Sequence, residues 1–451
     1  MQPEPSLTAR VARYVAATAT RELPDFVLDE ARKCLVDWVG VCLAARNGAE
    51  ARIVRQVVDG WRAQGTAQML GGGATAAGLA ALYNGTLSHG LDFDDTHIPS
   101  VVHVSGPVWA AVLAAAAERR TSERDILRSF VTGFEVAARL GDGAGIGVRM
   151  NQSGWHATPT LGRFGAAAAV AAVYGLDEPR VAHALALCGT QASGLTVSFG
   201  TMGKPLHAGK TALDAVLSAE LAAAGFEGAA DILDPRGRYL ATLLQDRDAA
   251  FALAPFDTVW EITRNSFKPY AACQLAHAAI TGAHRVRSRL ESRPIERIDA
   301  YVHPLAITIA GLTDAKTSTE GKFSTAFCIA LALAGHPVST GDFSEARLTD
   351  PALRDVASRV TLHPEDGIER TATRLEIRLA DGALVVDDMK AAFGSIDNPM
   401  DWAALDAKFL GLTEPLLGKA ASELLAVLHR FEEPGSAARL FALAQGDHAG
   451  R

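Results

Sequence analysis

From the N-terminus to about residue 260, apolar residues recur every three to four positions; this helical period is then interrupted once and resumed once. In "LPDFVLDEARKCLVDWVGVCLAA", Val27, Ala31, Cys34, Leu35, Trp38, Val39 and Cys42 share one helical face. "TSERDILRSFVTGFEVAARLG" repeats the pattern through Ile126, Leu127, Phe130, Phe134 and Leu140, with Ser122 and Asp125 spaced like a capping box. Near Pro294 the period shortens. "IERIDAYVHPLAITIA" and "SRVTLHPED" read as strands, and "ATRLEIRLADGALVVDDM" reads as a hairpin about Asp381 and Gly382. A helix containing "FSTAFCIALALAG" lies between them, and helical spacing returns in "DWAALDAKFLGL" and "TEPLLGKAASELLAVLHRFEE". The pattern predicts a mainly α protein, a large all-helical domain interrupted by a smaller α+β domain.

At 451 residues the chain exceeds what a single core ordinarily holds. It is 49% apolar and 21% charged, in the range of soluble globular proteins. A net charge of −8 gives no reason to expect a nucleic acid or an anionic membrane as partner, so an anionic ligand would need a locally basic pocket. The start of the chain lacks the pattern of a signal peptide, and "FGAAAAVAAVYGL" is too short to span a bilayer. Cys34, Cys42, Cys188, Cys273 and Cys328 show no paired spacing, which predicts reduced thiols, no zinc site and a cytoplasmic protein.

Two nucleotide-like strings carry nothing. "GGGAT" lacks a surrounding βαβ pattern, and "GKPLHAGKT" has Ala208 where a phosphate loop needs glycine. "SHGLDFDDTHIPSVVHVSG", residues 88–106, gathers three aspartates and three histidines. Leu79, Leu82, Leu87 and Leu91 predict a helix running into it, with His89 and Asp92 on one face and Pro107 in the first turn of the next helix. The residues fit a solvated acidic loop, a metal site of His89, Asp92, Asp94, Asp95, His97 and His103, or a metal-free acid/base site. The apolar flanks oppose the solvated loop, because carboxylates beside buried helices need partners. In "NQSGWHATPTLG", Thr158 and Pro159 predict a helix start with His156 just outside it, where free N–H groups favour a carboxylate. Lys204 follows Gly203 in a loop before a helix, and Lys268 also precedes a helix, with Cys273 and His277 one turn apart on it. Each of these residues alone fits an ordinary solvated or core position. Together, two lysines and two histidines beside an aspartate-rich turn suit a substrate with several carboxylates, whose carbon next to a carboxylate exchanges a proton.

With "HGLDFDDT", "GWHATPTLG", "GKPLHAGKTA", "KPYAACQLAH", "FSTAFCIALALAG" and "NPMDWAALDAKF" in this order, nearly the whole chain resembles the MmgE/PrpD family. That family includes 2-methylcitrate dehydratase, cis-aconitate decarboxylase and iminodisuccinate epimerase. The resemblance implies an all-helical domain over 1–264 and 398–451, an inserted α+β lid over 265–397, a homodimer, and no metal or organic cofactor. It implies His103, His156, Asp92 and Lys204 as catalytic residues, and Thr96, Lys268, Cys273 and His277 as substrate-binding ones. The activity it implies is a cofactor-independent lyase acting on a small di- or tricarboxylate, first a hydro-lyase like 2-methylcitrate dehydratase. Epimerisation of an iminodisuccinate-like acid and decarboxylation of a cis-aconitate-like acid are the neighbouring readings. From other classes, a metal-dependent hydrolase and a non-catalytic polycarboxylate-binding protein remain. Three departures stand out: Val104 follows His103 where the family usually has proline, Phe327 stands where decarboxylase members carry tyrosine, and the insert after the aspartate turn typical of 2-methylcitrate dehydratases is missing.

Overall fold

In the computed structural model, which describes residues 5–256 and 258–445, the chain divides into two units. One takes residues up to 266 and from 401 onward; the other is residues 267–400. The protein is mainly α, with a smaller α+β part.

The larger unit is built round helices that are apolar on every side, as buried helices must be. The helix Ala77–His89 packs against Gly203–Ala223 and Ser105–Arg119, and Ala157–Val173 packs against Glu123–Asp142. Alanine and glycine let these backbones approach closely. A Cβ on Gly209 would lie 2.2 Å from Thr86 Oγ1 and 2.3 Å from the Leu82 carbonyl oxygen, so Ala77–His89 and Gly203–Ala223 touch through their main chains. Gly133 and Gly165 make the same kind of contact between Glu123–Asp142 and Ala157–Val173. From the far end of the sequence, Trp402–Leu417 packs on Asp25–Ala45, where Lys408 Nζ meets Asp37 at 2.6 Å. A short antiparallel pair, Thr96–His97 with Asn265–Ser266, fastens the aspartate-rich turn. No helix among the described residues is long and apolar enough to cross a membrane.

The smaller unit contains a four-stranded sheet in the order Val360–Pro364, Ile295–Val302, Thr373–Leu379, Leu384–Met389. The first pair is parallel and the others antiparallel. Thr373, Leu375, Ile377 and Leu379 alternate inward, and His277–Val286 packs on that strand and on Thr325–Ala334. The hairpin turns at Asp381 and Gly382, whose φ of +86° suits glycine.

Several local expectations fail for visible reasons. "PLAITIA" forms the helix Pro304–Ala310, not a strand, because the His303 side chain accepts from Leu305 N–H and Pro304 presets the first turn. The helix carrying His89 ends there, and Asp92 lies beyond it at a φ of +52°, so the two do not share a helical face. The next motif helix begins at Ala157, before Thr158: Asn151 Oδ1 accepts from Ala157 N–H, and His156 occupies the cap position. Lys204 is already inside the helix Gly203–Ala223. Cys273 precedes a short turn, Gln274–Ala276, and is not on the helix that starts at His277.

Candidate active site

The larger unit brings its five sequence-predicted site residues, Asp92, Thr96, His103, His156 and Lys204, into one neighbourhood. The chain leaves the helix Ala77–His89, turns through left-handed Asp92, and passes Asp94, Asp95 and the Thr96–His97 strand. It reaches His103 just before the helix Ser105–Arg119. Asp94 sits inside this loop. Its carboxylate accepts from His89 Nδ1 at 2.8 Å and lies 3.3 Å from His103 Nδ1. His103 Nδ1 also donates to the Asp95 carbonyl oxygen at 2.9 Å, with Thr96 Oγ1 at 3.2 Å. The backbone N–H of His103 donates to Thr158 Oγ1 at 3.0 Å, so the hydroxyl expected to cap a helix instead pins the histidine. With the Nδ1 proton held by these acceptors, Nε2 is the nitrogen left to exchange a proton.

His156 enters from the neighbouring helix start, its backbone N–H on the Gly194 carbonyl. Its ring stacks 6.0 Å from His89 and meets Phe199 edge-on. Its Nδ1 lies 3.1 Å from Nδ1 of His207. Lys204 Nζ pairs with Asp92 Oδ1 at 2.8 Å and lies over the Phe199 ring. Four imidazoles, one ammonium and two carboxylates therefore share the site.

Burial sets their charge. It would raise the Asp94 carboxyl, but His89 and His103 outweigh it and hold Asp94 well below the usual carboxylate range. Burial lowers His89 to about 4 despite Asp94. Burial and then Lys204 push His156 far below an ordinary imidazole. His207 is lowered by the same two causes. His89 and His156 are thus neutral near pH 7, and Asp94 is ionised.

A second tier of carboxylates holds the turn in place. Asp95 Oδ2 accepts from Ser105 Oγ and from Asn265 Nδ2, both at 2.5 Å. Asp37 accepts from Asp95 N–H at 3.1 Å and from Lys408 at 2.6 Å, and Lys408 also donates to the Phe93 carbonyl oxygen. Burial, then Asp37, raises Asp95 to about 7.

Of the six residues considered together as metal ligands, only His89, Asp94 and His103 converge, with one donor atom from each within 4.8 Å of the others. Their donor atoms already bond one another, which is a proton-sharing arrangement. His97 belongs elsewhere: Nδ1 meets Ser100 at 2.8 Å and Nε2 meets Glu261 at 3.2 Å.

Lys268, Cys273 and His277 belong to the smaller unit, and all three are buried. His277 Nε2 lies 3.1 Å from the Ala272 carbonyl oxygen, and its ring lies edge-on to Tyr270.

Sequence reading did not single out His207, although it follows Lys204 by three residues and helical spacing puts both on one face. Nor did it find that Asp94 serves both His89 and His103. Spacing could have raised the first; the second depends on how the loop closes.

A helical unit carrying a histidine, lysine and aspartate cluster, interrupted once in sequence by an α+β unit, defines a known class. The chain belongs to the MmgE/PrpD family: residues 9–252 match its N-terminal domain and residues 270–432 its C-terminal domain. It is 24% identical over 425 residues to cis-aconitate decarboxylase of Aspergillus terreus, covering 87% of this chain and 86% of that one. It is 25% identical to cis-aconitate decarboxylase of Homo sapiens, over 81% of this chain and 79% of the other. A cis-aconitate decarboxylase-like protein of Aspergillus oryzae is 23% identical, with 88% of each covered.

Proposed function

We propose that this protein is a lyase of small di- or tricarboxylates that moves a proton at a carbon next to a carboxylate. The observation that carries the reading is the setting of His103: Nδ1 is held by the Asp95 carbonyl and ionised Asp94, and Nε2 is left to work as acid or base. Lys204, with Lys268 assigned from its motif, balances substrate carboxylates and the charge that develops on them. Decarboxylation of a cis-aconitate-like acid is the first reaction to test, because relatives across most of the chain's length carry that name. In it the bond to one carboxylate breaks, carbon dioxide leaves, and the electron pair spreads toward a remaining carboxylate. A histidine then delivers a proton to carbon. A hydro-lyase is the second reading, favoured by Phe327, which cannot donate a hydrogen bond where decarboxylase members have tyrosine. There one histidine removes the α proton and returns it to the departing hydroxide, while a second histidine donates a hydrogen bond to the leaving oxygen. His156 is that second group in our assignment, Asp92 orders Lys204, and Thr96, Cys273 and His277 keep the substrate-binding role that their motifs imply.

The test is incubation of the protein with cis-aconitate, 2-methylcitrate, citrate and iminodisuccinate in deuterated water, followed by NMR. An unsaturated dicarboxylate bearing one deuterium, with carbon dioxide released, supports the carboxy-lyase. An unsaturated tricarboxylate supports the hydro-lyase. Exchange with inversion and no new double bond assigns an epimerase, and turnover abolished by chelator overturns the metal-free scheme.

A further inference from the structure

In the smaller unit a cavity of about 670 Å³ opens where the turn Arg287–Leu290 leaves the helix His277–Val286 and faces the helix Pro351–Ser358. That size suits a small organic molecule. Its floor is apolar: Leu290 and Leu353 are buried there, with Leu333 and Val356 beside them. One wall is polar, made by His284, Arg287, Ser288 and Arg293.

The two arginines differ. Arg293 is fixed by the Leu290 and Arg289 carbonyl oxygens and by Asp381. The Arg287 guanidinium, the His284 ring nitrogens and the Ser288 hydroxyl have no hydrogen bond or ion pair among the described residues. Arg287 and Ser288 are exposed at the cavity wall, and the Arg287 guanidinium lies against Gly335, where a Cβ would come within 2.6 Å of its Cζ. The His284 ring stacks on Tyr270 at 5.7 Å. Burial, then the Arg287 charge, lowers the pKa of His284, leaving a neutral ring that both donates and accepts. At the rim, Glu291 and Ser292 are consecutively left-handed, with φ of 50° and 59°. Strain of that kind at residues other than glycine gathers at ligand clamps.

We propose that this cavity binds a small organic carboxylate with an aliphatic body. The carboxylate pairs with Arg287 and bonds to His284 and Ser288, and the hydrocarbon covers the Leu290 and Leu353 floor. A guanidinium offers a carboxylate two parallel hydrogen bonds, and the apolar floor gives nothing to a compact inorganic anion. None of the residues assigned to the reaction lines the cavity, so its ligand is distinct from the substrate.

Calorimetric titration of the full chain with hexanoate, acetate and inorganic phosphate tests this. Hexanoate should bind wild type and Lys204→Met alike, and acetate and phosphate at least about tenfold more weakly. Arg287→Met should weaken hexanoate about tenfold or more, and Ala352→Trp, which fills the mouth without touching the polar wall, should do the same. Unaltered hexanoate binding in both variants, loss of binding in Lys204→Met, phosphate binding as tight as hexanoate, or no binding of hexanoate to wild type would each overturn the proposal. Because the readout is binding, it stands or falls separately from the lyase activity.

Discussion

His103 and His156 differ in what holds their second nitrogen. His103 Nδ1 faces a carbonyl oxygen and a carboxylate, both acceptors only, so one tautomer is fixed. His156 Nδ1 faces another imidazole, and the pair is equally bonded with the proton on either ring. If His207 donates, His156 carries its proton on Nε2 and can donate a hydrogen bond to an oxygen that gains charge; if His156 donates, its Nε2 is a base. His103→Gln should lower kcat about 10²- to 10⁴-fold with little change in Tm. A large fall in Tm with turnover intact would remove His103 from the mechanism. His207→Leu leaves His156 Nδ1 buried and unpaired; kcat should fall about tenfold or more, with a displaced pH profile. His207→Asn, whose amide can donate or accept, should recover part of the loss. Identical pH profiles in wild type and His207→Leu would show that the contact is only structural.

At the scale of elements, the site depends on two helices that meet through glycine. His89 ends one and Lys204 lies in the first turn of the other. Gly209→Ala would place a methyl group against the Leu82 carbonyl oxygen, which cannot move aside without shifting the helix. The expected cost is about 1–3 kcal/mol or more, together with a fall in kcat as His89 and Lys204 move apart. Gly411→Ala, on an exposed helical face with nothing within 4 Å, should instead stabilise by about 0.5–1 kcal/mol. Urea unfolding of both variants, with turnover of the first, checks the contrast; equal effects would mean the crossing tolerates a methyl group. The helical period was legible here because these helices bury apolar residues on every turn, and the hairpin was legible through alternation about Gly382. What sequence could not show was competition for caps. Asn151 starts the helix before Thr158, and His303 with Pro304 turns an apolar run into a helix. Both outcomes depend on which side chain reaches a free N–H first, and periodicity does not record that.

Across the whole molecule, the net charge of −8 hides how the charges are sorted. The larger unit buries two kinds of titrating group with opposite effects on folding. His89, His97 and His156 are lowered chiefly by burial, so their stability contribution is full above 6.5 and is lost as pH falls. Asp95 and Glu135 are raised to about 7, again chiefly by burial. For them the sign reverses. Below about 3.8 Asp95 is protonated folded or unfolded; between 3.8 and 7 the native state keeps a proton that the unfolded chain has released, and stability falls as pH rises. Asp95→Asn removes that slope and keeps an oxygen for Ser105 and Asn265 to bond. Relative to wild type, the variant should therefore gain stability as pH rises from 5 to 8, by on the order of 1–3 kcal/mol, and gain nothing further above about 7. Urea midpoints of the two proteins across this range measure it. A difference that stays constant with pH would mean that Asp95 is ionised in the folded protein throughout, and that Lys408 and Asn265 stabilise two neighbouring carboxylates at once.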